Sequence, residues 1–278
     1  MKFSALIIVL ISLLTALVAC APQPAPTPTP TSAPPAITLQ ISGSGSTSAI
    51  LTAVADEFEA ANPGYILEVL PGSGTGGGVT GTIEGTLDLA ALSRPANASE
   101  TEQGIVSVQF GTSSTAIITH SEVGVSELTS EQVSGILTGS ITNWSEVGGG
   151  DLPITLYIRE PEEGNTGDIR DTYIGEAEFA ATAVVMTSQT DMQNVVSSVA
   201  GAFGYATWAT VVANNANVTN VIVDGLGVEN PPETMTAYMG VGYLSTRASE
   251  VLPLVDWLVS EDGQAALQAI GVRPAASE

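Results

Sequence analysis

Apolar positions fall along this chain in three textures. Residues 3–18 form an apolar run behind Met1-Lys2. The run is too short and too close to the start for a spanning helix, and it reads as the hydrophobic stretch of a secretory leader. Residues 21–36 carry seven prolines among Ala, Thr, Ser and Gln. Such a composition cannot bury a core and favours an extended polyproline II spacer. From residue 37 the texture becomes a repeat of strand-like and helix-like segments. Residues 37–41 alternate apolar and polar side chains and predict a strand. Ile50, Leu51, Val54 and Phe58 fall near helical spacing and predict a helix over 49–60, stopped by Asn62-Pro63-Gly64. Residues 65–70 and 87–92 predict strands, with a short helix over 79–85 between them. Further strands are expected at 117–119, 154–158 and 221–223, and helices at 130–137, 168–174, 192–199 and 254–270. This alternation argues for an α/β fold with mostly parallel strands. The roughly 240 residues after the spacer suit two lobes, with a ligand outside the carboxyl ends of the strands.

Charge narrows the chemistry. Acids outnumber bases 29 to 6, the formal net charge is −23, and the only lysine is Lys2. A nucleic-acid binder needs a basic face to release counterions, so no nucleic-acid partner is expected. The chain has one cysteine, Cys20, and one histidine, His120. No disulfide scaffold, metal site, cofactor or catalytic residue is therefore expected. No serine stands in a G-x-S-x-G turn, which argues against a Ser–His–Asp hydrolase. His120 reads as an exposed strand-end residue, and Trp144, Trp208 and Trp257 as core or hinge packing. Cys20 closes Leu17-Val18-Ala19-Cys20, which resembles the bacterial lipobox, where the leader is cut and the thiol lipidated. The expectation is an extracytoplasmic protein anchored to the cell membrane through Cys20.

Three loops share one composition at strand-to-helix junctions. They are Ser42-Gly43-Ser44-Gly45-Ser46-Thr47-Ser48, Gly72-Ser73-Gly74-Thr75-Gly76-Gly77-Gly78 and Glu163-Gly164-Asn165-Thr166-Gly167. A helix start leaves backbone N–H groups unpaired and carries partial positive charge, so it suits an anion. Glycine permits close backbone approach, and Ser or Thr hydroxyls add donors or cap the helix. Arg159 follows an apolar strand at its carboxyl end, where a guanidinium fork can grip two oxygens. The competing reading is a surface pairing with Glu160, Glu162 or Glu163. Arg94, after Leu92-Ser93, is the next candidate cation; Arg170, Arg247 and Arg273 read as ordinary helix or loop arginines.

These segments, in this order, resemble the phosphate-type (PstS-like) substrate-binding proteins of ABC transporters. The most specific stretch is Ile136-Leu137-Thr138-Gly139-Ser140-Ile141-Thr142-Asn143-Trp144-Ser145-Glu146-Val147-Gly148-Gly149, similar to that family's I-F-x-G-x-I-T-N-W-x-x-V-G-G signature. Asp88-Leu89-Ala90-Ala91-Leu92-Ser93-Arg94 is similar to its D-I-G-M-S-S-R segment, Val199–Tyr205 to its P-G-A-I-G-Y turn, and Gly271-Val272-Arg273-Pro274 to its ending.

The resemblance implies a type II periplasmic-binding-protein fold of two α/β lobes, each a mostly parallel sheet flanked by helices, closing on one oxyanion. Residues 1–20 would be the lipoprotein leader, 21–36 the linker, 37–112 and 238–278 lobe I, and 113–237 lobe II. The implied ligand residues are Ser46, Thr47 (hydroxyl), Ser48 (backbone N–H), Ser73 or Thr75, Gly76, Ser93, Arg159, Asn165, Thr166 and Gly167 (N–H). The third loop departs from the family pattern, with extra residues after Arg159. Where some members carry an aspartate in the cleft, this chain has Ser93. The implied partners are inorganic phosphate, or sulfate, molybdate or tungstate, and a membrane ABC permease served by a monomer. A surface sensory or adhesion protein that keeps the fold is the alternative.

Overall fold

The computed structural model describes residues 36–161 and 163–275. The apolar leader, Cys20 and the proline-rich stretch up to Pro35 lie outside the described residues.

Ten strands occur along the described chain: β1 (Ile37–Gly43), β2 (Tyr65–Val69), β3 (Leu89–Leu92), β4 (Ile105–His120), β5 (Glu127–Leu128), β6 (Thr155–Arg159), β7 (Val184–Met186), β8 (Ala202–Thr207), β9 (Val218–Val223) and β10 (Thr236–Leu244). Their order is β2-β1-β3-β10-β4-β8-β6-β7, with β9 beside β4 and β5 beside β9. Pairing is parallel for β1–β2, β1–β3, β5–β9, β6–β7 and β6–β8. It is antiparallel wherever β4 or β10 takes part. The sheet is thus more mixed than expected. The reason lies in the two long central strands, which run side by side in opposite directions. β4 pairs with β10 from Ile105 to Ser114, and from Thr115 onward pairs with β8 and β9 instead.

Apolar burial follows that switch. One cluster gathers Leu39, Ile41, Ile50, Phe58, Met239, Leu254 and Trp257 around β1, β3 and β10. A second gathers Ile117, Val133, Ile136, Trp144, Ile158, Phe203 and Tyr205 around β6, β8 and β9. Ala209 belongs to the first cluster, because the helix Trp208–Ala213 packs back across the switch onto Gly45–Ala53. Each fully buried Leu, Ile or Phe contributes about 1.5–3 kcal/mol.

Local chemistry sets several boundaries. The helix Ser130–Thr138 opens on a Thr129/Gln132 capping box and ends at Gly139 in the left-handed region. The helix expected over 49–60 is instead two, Gly45–Ala53 and Ala55–Ala61, broken at Val54. That expected over 254–270 is also two, Ala248–Val259 and Glu261–Ala269. Ser260 is extended between them, and its hydroxyl accepts the Gly263 N–H. The stretch read as a turn ending at Tyr205 contains a fully buried strand, β8. His120 ends β4, its Nδ1 accepting the Glu122 N–H.

Candidate functional site

The carboxyl ends of β1 and β3 carry the first two Gly/Ser/Thr loops. β1 ends at Gly43, with φ +146°, and a Cβ there would lie 2.2 Å from the Ala91 carbonyl oxygen. A Cβ on Gly78 would lie 2.5 Å from the Ser42 carbonyl oxygen. Two glycines therefore let β1, β3 and the helix Gly74–Ile83 meet at backbone distance. The Ser73 N–H donates to the Gly43 carbonyl at 3.0 Å, the Ser44 N–H to that of Ala91 at 2.9 Å, and the Ser42 hydroxyl to that of Pro71 at 2.7 Å. The loops are locked side by side.

The serines and threonines there have different tasks. Ser44 caps the helix Gly45–Ala53, accepting the Thr47 N–H. Thr47 is fully buried; its hydroxyl donates to the Leu92 carbonyl at 2.9 Å and lies 3.4 Å from Met239 Sδ. Its hydroxyl proton is thus engaged inside the protein, contrary to the donor role expected for it. The Ser48 backbone N–H, expected to face a ligand, donates to the Ser44 carbonyl at 2.8 Å within the helix, while the Ser48 hydroxyl is buried without a hydrogen-bond partner among the described residues. Ser46 Oγ lies 3.1 Å from Ser44 Oγ, and Ser73 Oγ lies 3.1 Å from Ser42 Oγ. Thr75 and Ser93 meet through their hydroxyls at 3.0 Å, and Thr75 Oγ1 accepts the Ser93 N–H at 3.1 Å. Gly76 is exposed in the first turn of Gly74–Ile83. This group brings Ser46, Ser48, Ser73, Thr75, Gly76 and Ser93 to the carboxyl ends of β1 and β3.

A second group lies at the carboxyl ends of the parallel strands β6, β7 and β8. Arg159, the last residue of β6, is 4% exposed. Its Nε donates to the Met186 carbonyl at 3.0 Å, and Nη2 to that of Thr187 at 3.4 Å. Nη2 also lies 3.1 Å from Glu163 Oε1 and 3.7 Å from Glu160 Oε2. Nη1 has no partner among the described residues. The pairing with Glu160 and Glu163 is real, but the arginine is a buried one that presents a bare N–H₂ edge. A buried charge-bearing donor left without a partner is costly, so an acceptor there would be stabilised.

The loop after Arg159 enters the short helix Gly164–Ile169. Thr166 is buried, its Oγ1 2.8 Å from the Tyr205 hydroxyl. Asn165 is tied at both ends of its amide. Nδ2 donates to Thr115 Oγ1, and Oδ1 accepts from Gln189 Nε2 and the Thr207 hydroxyl. The Gly167 N–H, expected to face a ligand, donates to the Glu163 carbonyl at 3.2 Å within the helix. Asp168 accepts from the Thr115 hydroxyl. Burial pushes its carboxyl up to about 6, the Thr115 hydrogen bond opposes this, and nearby Asp171 adds to it.

Arg94, Arg170 and Arg247 are occupied elsewhere, Arg170 donating to the Ala177 carbonyl at 2.9 Å. Arg94 forms a two-pronged ion pair with Glu100, 2.8 Å on each arm. That hydrogen-bonded guanidinium holds the Glu100 carboxyl down at about 2. Arg247 pairs with Asp88 and Glu250. Sequence reasoning missed Thr115, Gln189 and Tyr205, which reach the third loop from β4, a helix start and β8. Nothing in local spacing marks them, because each is brought there by tertiary pairing. No hydrogen bond or ion pair joins the two groups among the described residues.

The sequence and the fold have counterparts. A family model described as the PBP superfamily domain matches residues 28–269. The phosphate-binding protein PstS of Bacillus subtilis is 26% identical over 194 residues, covering 69% of this chain and 63% of that protein. The phosphate-binding protein PstS of Borreliella burgdorferi is 26% identical over 174 residues, covering 60% of this chain and 62% of that protein. The chain thus spans less than two thirds of the length of these curated relatives. A Clostridium perfringens crystal structure of a substrate-binding protein assigned to a phosphate ABC transporter, with bound phosphate, superposes with a TM-score of 0.72. It is 26% identical and covers 86% of this chain and all of that one. By the extent of the family match and the likeness to these relatives, the chain belongs to the PBP superfamily and is PstS-like within it.

Proposed function

We propose that this protein captures inorganic phosphate outside the cytoplasm and passes it to an ABC permease in the membrane, without catalysing a reaction. The observation that carries this reading is the buried guanidinium of Arg159, whose Nη1 has no partner among the described residues, Glu162 lying outside them. In a chain of net charge −23, a desolvated arginine at a strand end is a costly feature unless an anion completes it. Ser48 supports the same reading, its hydroxyl likewise buried and without a partner among the described residues. The names of the Bacillus and Borreliella relatives, and the phosphate bound in the Clostridium structure, fit a tetrahedral oxyanion.

In this reading residues 37–112 and 238–278 form one lobe and 113–237 the other, meeting where β4 changes partners after Ser114. Closure about β4 and β10 brings Ser46, Ser48, Thr75, Gly76 and Ser93 onto the anion held by Arg159 and Thr166. Thr47, Asn165 and Gly167 hold the loops in shape, since their polar groups already serve the protein. Many short donors replace the ion's water shell, and exposed acids beyond about 10 Å are screened at 0.1 M salt. The leader ending at Cys20 supplies the lipid anchor, and the proline-rich spacer holds the monomer off the membrane.

Calorimetric titration in phosphate-stripped buffer tests this reading, with sulfate, molybdate and tungstate as competitors. Heat on adding phosphate, undiminished by sulfate, is expected. Heat with another oxyanion alone reassigns the ligand, and no heat with any of the four leaves a surface protein that keeps only the fold.

A further inference from the structure

Tyr205 is fully buried in β8 and touches both parts of the arginine-bearing half of the site. Its phenol oxygen accepts the backbone N–H of Arg159 at 2.8 Å and lies 2.8 Å from Thr166 Oγ1. The sheet explains why the phenol is needed. β6 and β8 pair only at Thr155/Ala202 and Leu156/Phe203. The two strands have parted by Arg159, so its N–H lacks a ladder acceptor on that side, and a buried N–H must find one. A side chain from β8 reaches across the gap and serves in its place.

We propose that Tyr205 is the positioning residue of the oxyanion site, an inference that rests on the phosphate reading above. Accepting from Arg159, the phenol directs its own proton to Thr166 Oγ1, which leaves the Thr166 hydroxyl proton to point at the ligand. Arg159 N–H, Tyr205 O–H and Thr166 O–H then form one chain in which each bond polarises the next. Burial raises the Tyr205 pKa above its ordinary value, with the hydrogen bond to Thr166 and the nearby arginines opposing this. The phenol therefore stays protonated and able to donate.

The test uses the full chain with Tyr205→Phe, Thr166→Val, Thr166→Ser and the Tyr205→Phe/Thr166→Val double variant. Tyr205→Phe and Thr166→Val are each expected to weaken phosphate binding about tenfold, the worth of one hydrogen bond. The double variant is expected to lose no more than either single, because the two act through one chain. Thr166→Ser keeps the hydroxyl and is expected to bind within about twofold of the parent. Losses that multiply, or a Tyr205→Phe protein with unchanged affinity, would overturn the proposal. If Tyr205→Phe fails to fold, the Val and Ser variants at position 166 decide: equal affinities overturn it. Amide exchange at Arg159 in the ligand-free protein provides a readout that needs no phosphate. It should quicken in Tyr205→Phe, and unchanged exchange contradicts the clamp. A parent chain that binds no phosphate but shows this exchange difference refutes the function while leaving the clamp standing.

Discussion

Arg159 and Glu163 meet at 3.1 Å through one arm of the guanidinium only, so the arginine is at once paired and open. The Glu163 side chain is 44% exposed, and its carboxylate sits close enough to repel an anion arriving on the other arm. Removing that charge should therefore help the ligand. Glu163→Gln is expected to tighten phosphate binding about three- to tenfold at low salt, a gain of about 1 kcal/mol for a partly exposed charge. The gain should shrink at high salt. Calorimetry at two ionic strengths checks this, and weaker binding would mean that Glu163 supports the site.

Ser48 gives a second prediction from an unpartnered buried group. Its hydroxyl makes no hydrogen bond among the described residues, so Ser48→Ala removes nothing that this part of the fold uses. Phosphate affinity is expected to fall about tenfold, while the melting temperature stays level or rises slightly. A fall in stability with unchanged affinity would place the hydroxyl in the packing instead.

Gly43 tests the backbone architecture beneath the site. Any Cβ there collides with the Ala91 carbonyl, and φ +146° is strained for other residues. Gly43→Ala is expected to cost on the order of 3 kcal/mol in urea unfolding, well above an ordinary surface change. A loss under about 1 kcal/mol would show that β1 and β3 can part there without penalty.

Asp168 predicts a pH dependence of stability. Its folded-state value, about 6, exceeds the ordinary 3.8. Between these values the folded protein holds a proton that the unfolded chain has lost. Stability therefore falls as pH rises from about 4 to about 6 and is level above that, as far as this group is concerned. The penalty at pH 7 is about 2 kcal/mol after allowance for partial solvent screening. Asp168→Asn should be the more stable protein at pH 7, and the difference should narrow towards pH 4. A difference independent of pH would contradict this.

Much of this was legible before the fold was known, and the failures have physical causes. Alternation in 37–41 and the Gly/Ser/Thr runs revealed β1 and its loop because those features are local. β4 was visible only at 117–119, since Gly111, Thr112, Ser113 and Ser114 interrupt the apolar pattern. Ser113 and Ser114 are in fact buried where the strand passes from one set of neighbours to the other. β10 was missed for the same reason, its Gly240 and Gly242 diluting the apolar pattern. Its place at a strand end singled out Arg159, and the family resemblance pointed to Ser48 and Thr166. Neither could tell that Thr47 would donate to Leu92, or that Tyr205 would hold Arg159, because both depend on strands brought together from afar.

The most direct test of the central claim is a crystal structure of this chain grown with phosphate. A single ion is expected with an oxygen within hydrogen-bonding distance of Arg159 Nη1, and other oxygens on Ser48 and on the Thr75–Ser93 pair. An ion bound elsewhere, or Arg159 Nη1 still bare beside a filled cleft, would contradict the account.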